Sequence, residues 1–396
     1  MHEKHVLCAG CGKTYRTDTR LVRCECGDSL EVVFDYRKMK KAVGKFKSRP
    51  FNHSRYLELY PVKKLVSVQE GATPLVRSKN IEKGFGLKFE LYFKYEAQNP
   101  TGSFKDRGSS VEIAKALELR GKHVICASTG NMGASVAAYS AMANLKCSIF
   151  TPRDAPAVKM EQILAYGADV YHLAGDYTMA ANLVEHIKRD HVYHLAGDYL
   201  WRREGTKSVG FEMAEQLKGI NYVVCPVGNG TLISATWKAM KEFKTLGLIG
   251  YKPRMVGVQA TGCAPLCNAM SGKSGKIRPV HGHTIATAIE CGDPLDGPRA
   301  LKALKESKGF CEKVNDMEIL KTRELLATQE GLFAEPAGAV ALAGILKARK
   351  RIKSGSRVVC LVTGHGLKVP RTGVGRKPHE ITGRFEAVEK AFSKVL

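Results

Sequence analysis

NPTGSFKDRG, Asn99 to Gly108, is the stretch on which the reading of this chain turns. It places Lys105 after a turn of small residues and directly before Asp106 and Arg107. The segment is too small and too polar to be core. Taken alone, Lys105 reads as a surface lysine paired with Asp106 or Asp154. The surrounding pattern argues otherwise. From GATPL (Gly71 to Leu75) onward, strand and helix signals alternate almost to the end of the chain. LKFELYFKYE, HVICAS, CSIFTP, DVYHLAG, YVVCPVGNG, MVGVQA and VVCLVTGHG read as strands. SSVEIAKALELRG, ASVAAYSAMANLK, KMEQILAYGA, EILKTRELLATQEG and AGAVALAGILKARK read as helices. Such alternation predicts an α/β fold of open, doubly wound parallel sheets with helices on both faces. Ligands of these folds bind at the carboxyl ends of strands.

Four such ends carry small or hydroxyl residues. They are NPTGSFKDRG, ASTGNMGAS (Ala127 to Ser135), PVGNGTL (Pro226 to Leu232) and VTGHGLK (Val362 to Lys368). Small residues there let the backbone approach a ligand closely. A turn that opens a helix points N–H groups at an anion. None of the four has the dinucleotide or Walker spacing, so NAD and ATP are disfavoured. A lysine in such a pocket is suited to covalent work. Desolvation or a neighbouring cation lowers its pKa, and the free amine captures an aldehyde cofactor.

Bulk properties set limits on this reading. The chain has 396 residues, more than one ordinary core accommodates, with 44% hydrophobic and 25% charged residues. No apolar run is long enough to span a membrane, and MHEKHVLCAGCGK is not a signal peptide. The twelve cysteines are mostly scattered, which predicts a reducing, cytoplasmic setting rather than a disulfide scaffold. Net charge is +24, and the run Arg37 to Arg49 holds no acid. That balance raises nucleic acid as a partner. No stacking platform accompanies it, so a solvated basic surface is the preferred reading.

Three segments are expected: a module at 1–36, a basic linker with short helical pieces at 37–70, and a catalytic region at 71–396 of two interleaved α/β domains, the smaller about 110–200. In the module, Cys8 and Cys11 form a C-x2-C knuckle, and Cys24 and Cys26 a tighter C-x-C pair. Four thiolates can close a tetrahedral, structural zinc site in a ribbon. The alternative is four reduced thiols without metal. VYHLAGDY occurs twice, at Val170–Tyr177 and Val192–Tyr199. An isolated pair implies no solenoid.

The order GATPL, NPTGSFKDRG, STGN, VGNG, TIATAI, EPA and TGHG resembles the fold type II pyridoxal-phosphate enzymes, and among them most closely the threonine synthases. The resemblance runs from Gly71 to Lys368, and the cysteine module resembles that of the archaeal type. It implies that Lys105 carries pyridoxal 5'-phosphate, that Asn131 bonds its phenolic oxygen, and that Gly228, Asn229, Gly230, Thr231 and Leu232 cradle its phosphate. Thr363 would face the pyridine nitrogen. Ser128 and Thr129 would meet the substrate carboxylate, and Arg202 and Lys207 would lie in the segment that grips the substrate phosphate. The implied reaction is a lyase reaction, O-phospho-L-homoserine and water giving L-threonine and phosphate. A homodimer is implied by resemblance alone.

The match has departures. Met132 stands where the family has a hydroxyl, and Ala196 and Gly197 where it has an asparagine–serine pair. Glu290, Cys291 and Gly292 replace Arg-Ile-Gly after TIATAI. These changes keep the cofactor machinery and thin the donors for the substrate phosphate. Two alternatives therefore stand beside the main reading. One is a threonine or serine dehydratase, or a synthase using O-phosphoserine. The other, of a different class, is a zinc-ribbon nucleic-acid-binding protein.

Overall fold

The computed structural model describes residues 2–370, apart from 129, 154–156, 175–176, 188–192 and 273. Its strands, in chain order, are β1 (Glu3–Cys8), β2 (Thr14–Tyr15), β3 (Leu30–Phe34), β4 (Leu75–Arg77), β5 (Glu90–Tyr95), β6 (His123–Ala127), β7 (Lys146–Pro152), β8 (Asp169–Leu173), β9 (Tyr193–Ala196), β10 (Tyr222–Pro226), β11 (Arg254–Ala260), β12 (Phe310–Val314) and β13 (Arg357–Val362). They form three sheets. The largest has the order β12-β11-β10-β13-β5-β4. Its pairings are parallel except that between β4 and β5. A four-stranded sheet, β8-β7-β6-β9, is parallel throughout. The third, β2-β1-β3, is antiparallel and belongs to the amino-terminal module.

The strand sequences account for this. Every residue of β10 (YVVCP) is buried, as expected of a parallel strand covered on both faces. The helix Pro336–Lys347, PAGAVALAGILK, starts on proline and is buried as far as Leu346. Its small side chains let it lie against the large sheet. Two apolar clusters, one on each face, bury that sheet.

Two expectations need revision. Residues 37–70 are not a linker in the packing sense. They form the helix Tyr36–Ala42 and short 3-10 turns, and Tyr56, Leu59 and Tyr60 have no exposed surface. These residues share one apolar cluster with Val6, Leu30, Val32 and Phe34 of the module and with Phe211 and Phe243 of the catalytic region. The module is also tied down by charge. Arg203 Nη1 donates to the Leu30 carbonyl at 2.7 Å, and Lys238 Nζ to the Val32 carbonyl at 2.8 Å. The second revision concerns thiols. Cys267 and Cys311 are joined as a disulfide, because the helix Pro265–Ser271 packs beside β12 and brings their Cα atoms to 5.2 Å. The ten other cysteines are free. No helix among the described residues is long and apolar enough to cross a membrane.

Candidate active site

The opening decapeptide folds as a tight turn followed by the helix Lys105–Glu118, and its residues hold one another in place. Gly102 has a φ of 82°, where a side chain would be strained and would meet Lys368. Asp106 accepts from the Thr101 N–H at 2.7 Å and from its hydroxyl at 2.6 Å, so a buried carboxylate closes the turn. Burial pushes that carboxyl up to about 6, although the Thr101 bonds oppose the shift. Arg107 is wholly buried. Its guanidinium reaches Glu96 at 2.6 Å and Glu212 at 2.6 Å, and Lys94 joins Glu212 at 2.7 Å. Asp106 and Arg107 are thus committed to structure. Lys105, the first helical residue, is left to face a cavity.

That cavity is lined by Lys105, Ser128, Asn131, Met132, Lys159, Asp198, the Gly228–Leu232 turn, Thr287 to Glu290, Glu335 and Thr363. The four strand ends singled out in the sequence therefore converge. Lys105 Nζ sits 3.1 Å and 3.3 Å from the two carboxylate oxygens of Asp198. Asp106 is not among its ion-pair partners; Asp154 lies outside the described residues.

The pocket fits pyridoxal phosphate by two marks. Thr231 opens a fifteen-residue helix, and its buried hydroxyl has no hydrogen-bond partner. A side chain on Gly228 or Gly230 would fill the turn before it, meeting Ile289 or Ala300 at 3.1 Å and 2.9 Å. An open helix N-terminus with a spare hydroxyl suits a phosphate. The second mark is the buried Oδ1 of Asn131, which also lacks a partner. Its Nδ2 donates to Glu335 Oε1 at 2.5 Å.

The substrate residues fall out differently. Thr129 lies outside the described residues. The Ser128 hydroxyl accepts from the N–H groups of Gly130 at 3.1 Å and Gly133 at 2.8 Å, so it shapes its own loop. Arg202 does not line the cavity. It is buried beneath it and donates to the Gly197 and Lys105 carbonyls, each at 3.1 Å, to Ser109 and to Glu112. Lys207 is buried between Glu204 and Glu242, at 2.7 Å and 2.9 Å, and bonds the Leu59 carbonyl. Both cations are neutralised where they lie.

Sequence reasoning missed three wall residues. Asp198 belongs to the second VYHLAGDY copy, whose presence was noted but whose acid was given no role. Glu335 was visible only as part of EPA. Lys159 gave no local signal. Its ammonium is 3.3 Å from Glu335 Oε2, and its stem fills the space a side chain on Gly130 would need. Among the described residues its ammonium pairs with Glu335 alone, so it borders the cavity as one half of that ion pair. In the module, the four sulfurs of Cys8, Cys11, Cys24 and Cys26 lie within 4.8 Å of one another. Bonds of about 2.3 Å to a tetrahedral zinc need sulfurs about 3.8 Å apart, so the set is near that shape.

Comparison with known proteins agrees with this geometry. Residues 66–364 match the family described as "Pyridoxal-phosphate dependent enzyme". The chain is 43% identical over 379 residues to the threonine synthase of Methanocaldococcus jannaschii, covering 93% of each chain. It is 38% identical to that of Methanosarcina acetivorans, covering 98% of each. Among solved structures, maize serine racemase has a TM-score of 0.64 at 23% identity, over 82% of this chain and 93% of that one. A tomato (Solanum lycopersicum) threonine deaminase has a TM-score of 0.65 at 20% identity, over 91% and 88%. At those identities the structural likeness concerns the fold.

Proposed function

The chain belongs to the threonine synthase family of pyridoxal-phosphate dependent enzymes, and from that premise we propose how its residues divide the work of turning O-phospho-L-homoserine and water into L-threonine and phosphate. The observation that carries the reading is the placement of Lys105 Nζ in a cavity whose far wall is a helix N-terminus with a spare hydroxyl.

Lys105 would hold the cofactor through its amine. The Gly228–Leu232 turn would take the cofactor phosphate, with Thr231 supplying both backbone and hydroxyl. Asn131 would serve the phenolic oxygen, and Thr363 would offer the ring nitrogen a neutral hydroxyl. Bound pyridoxal phosphate supplies an electron sink for charge that develops at the substrate's α carbon. The chain's own part is to move protons. The Lys105 amine would take a proton from the α carbon and serve the later transfers at the β and γ carbons. Phosphate leaves from the γ carbon, and water adds at the β carbon. Met132 presents an apolar wall where the family has a hydroxyl. Lys159 is the cation that faces the substrate side; Arg202 and Lys207 hold the walls from behind.

The test is phosphate release. Purified protein with pyridoxal phosphate added is expected to release phosphate from O-phospho-L-homoserine and to form threonine in equal amount. Release from O-phosphoserine with none from O-phospho-L-homoserine would transfer the chain to the β-eliminating relatives.

The four cysteines of the module hold a structural zinc. Their donor set is closed, so the metal has no open position for chemistry. Metal analysis should give one zinc per chain, lost in Cys11→Ser/Cys26→Ser. Turnover should fall less than tenfold in that variant, since the cysteines do not line the catalytic cavity.

A further inference from the structure

The acid that faces Lys105 has no part in the reaction as described so far. Asp198 is the seventh residue of the second VYHLAGDY copy and lies two residues past the end of β9. Its side chain is 3% exposed, and both of its oxygens face Lys105 Nζ. Oδ2 also accepts from Asn229 Nδ2 at 2.8 Å. Asn229 is fixed in turn, because its Oδ1 accepts from the Leu295 N–H at 3.2 Å and from the Cys291 thiol at 3.0 Å. The backbone leading into Asp198 is held as firmly. Gly197 donates its N–H to Glu112 at 3.0 Å and gives its carbonyl to Arg202 Nε. The same guanidinium bonds the carbonyl of Lys105. Arg202, paired to Glu112, is therefore a clasp that joins the backbones of the two facing residues.

We propose that Asp198 is the carboxylate against which Lys105 takes up and returns its proton, and that Arg202, Glu112 and Asn229 exist at this site to hold that carboxylate in place. The inference rests on the reading of Lys105 as the cofactor-bearing lysine. Bookkeeping is simple. A proton leaves the substrate carbon with its electron pair left behind, and Lys105 becomes an ammonium. Asp198 stabilises that ammonium as an ion pair and stays ionised throughout. When Lys105 returns the proton to carbon, the pair relaxes to an amine and a carboxylate bonded by Asn229.

Electrostatics support this division. Among the described residues the charged groups facing Asp198 are Lys105, Arg202 and Glu112, two cations and one other acid, with the neutral thiols of Cys291 and Cys126 beside them. Burial would raise the Asp198 carboxyl, but Lys105 and Arg202 hold it below the usual carboxylate range. The acid is therefore charged at neutral pH.

The experiment uses the holoenzyme and Asp198→Asn, with Asp198→Glu as the conservative control. The bound cofactor's visible absorbance is titrated with pH, and kcat and KM are measured across the same range. Asp198→Asn should bind cofactor in the same stoichiometry, while its absorbance transition moves down by about one pH unit or more, because the paired nitrogen loses its counter-charge. Its kcat should fall about 100-fold with KM changed less than threefold. Asp198→Glu should recover part of both effects. An unshifted titration and unchanged kcat overturn the proposal. If Asp198→Asn does not load cofactor, Asn229→Ala is titrated instead; a smaller downward shift supports the proposal and none overturns it. Failure of the wild type on O-phospho-L-homoserine would overturn the substrate assignment alone, since the absorbance titration needs no substrate.

Discussion

Lys105→Ala is expected to lower turnover of O-phospho-L-homoserine by about 10⁴-fold or more, because one change removes both the cofactor's point of attachment and the group that moves protons. The fold should survive it. Among the described residues the Lys105 side chain makes one ion pair, and the helix it opens is held through Asp106, Arg107 and Gly108. The checks are a circular dichroism spectrum like that of the wild type, loss of the cofactor's visible band, and single-turnover kinetics. A variant that keeps the band and turns over at more than a tenth of the wild-type rate would remove Lys105 from the mechanism.

The second large effect is on stability. Arg107→Met should cost about 3–5 kcal/mol, because it leaves Glu96 and Glu212 charged in a site that water does not reach. The exposed pair Lys13–Glu25, at 2.7 Å, makes a useful contrast, since water screens it and breaking it should leave the denaturation midpoint close to that of the wild type. Urea denaturation of the three proteins measures the difference. Adding Glu212→Gln to Arg107→Met should recover part of the loss; an additive loss would show that the cost comes from packing. The same cluster fixes a pH dependence. Burial would raise the Glu212 carboxyl, but Arg107 and Lys94 hold it at about 2, below its ordinary 4.5. Its contribution to stability is therefore full above pH 4.5 and is lost as pH falls through about 2.

Some of this was legible in the sequence because it is local. The strand–turn–helix punctuation around Lys105, Asn131, Gly230 and Thr363 lies within a few residues of each position, and the cavity is where those turns meet. Partnership across the fold left no such trace. Arg202 reads as a free cation because Glu112, which neutralises it, is ninety positions earlier. Lys159 gives no signal of its own because the glutamate beside it, Glu335, comes far later in the chain, after β12. The stretch 37–70 reads as a linker because Met39, Phe46, Tyr56, Leu59 and Tyr60 follow no helical or strand period. Their burial comes from three short elements folding onto an outside surface. The strand β12, FCEKV, escaped notice because only Val314 of it is fully buried.

The chain passes between the two parallel sheets only twice among the described residues. It leaves the large sheet after β5 and returns to it at β10, with β6 to β9 between. Lys105 stands near the outward crossing, and Asp198 stands near the homeward one. A hinge rotation of the smaller sheet would therefore act on both ends of their ion pair together. Because Arg202 bonds the backbone on both sides, the pair would travel as one unit, and the facing of amine and carboxylate would be independent of how the two sheets stand to each other.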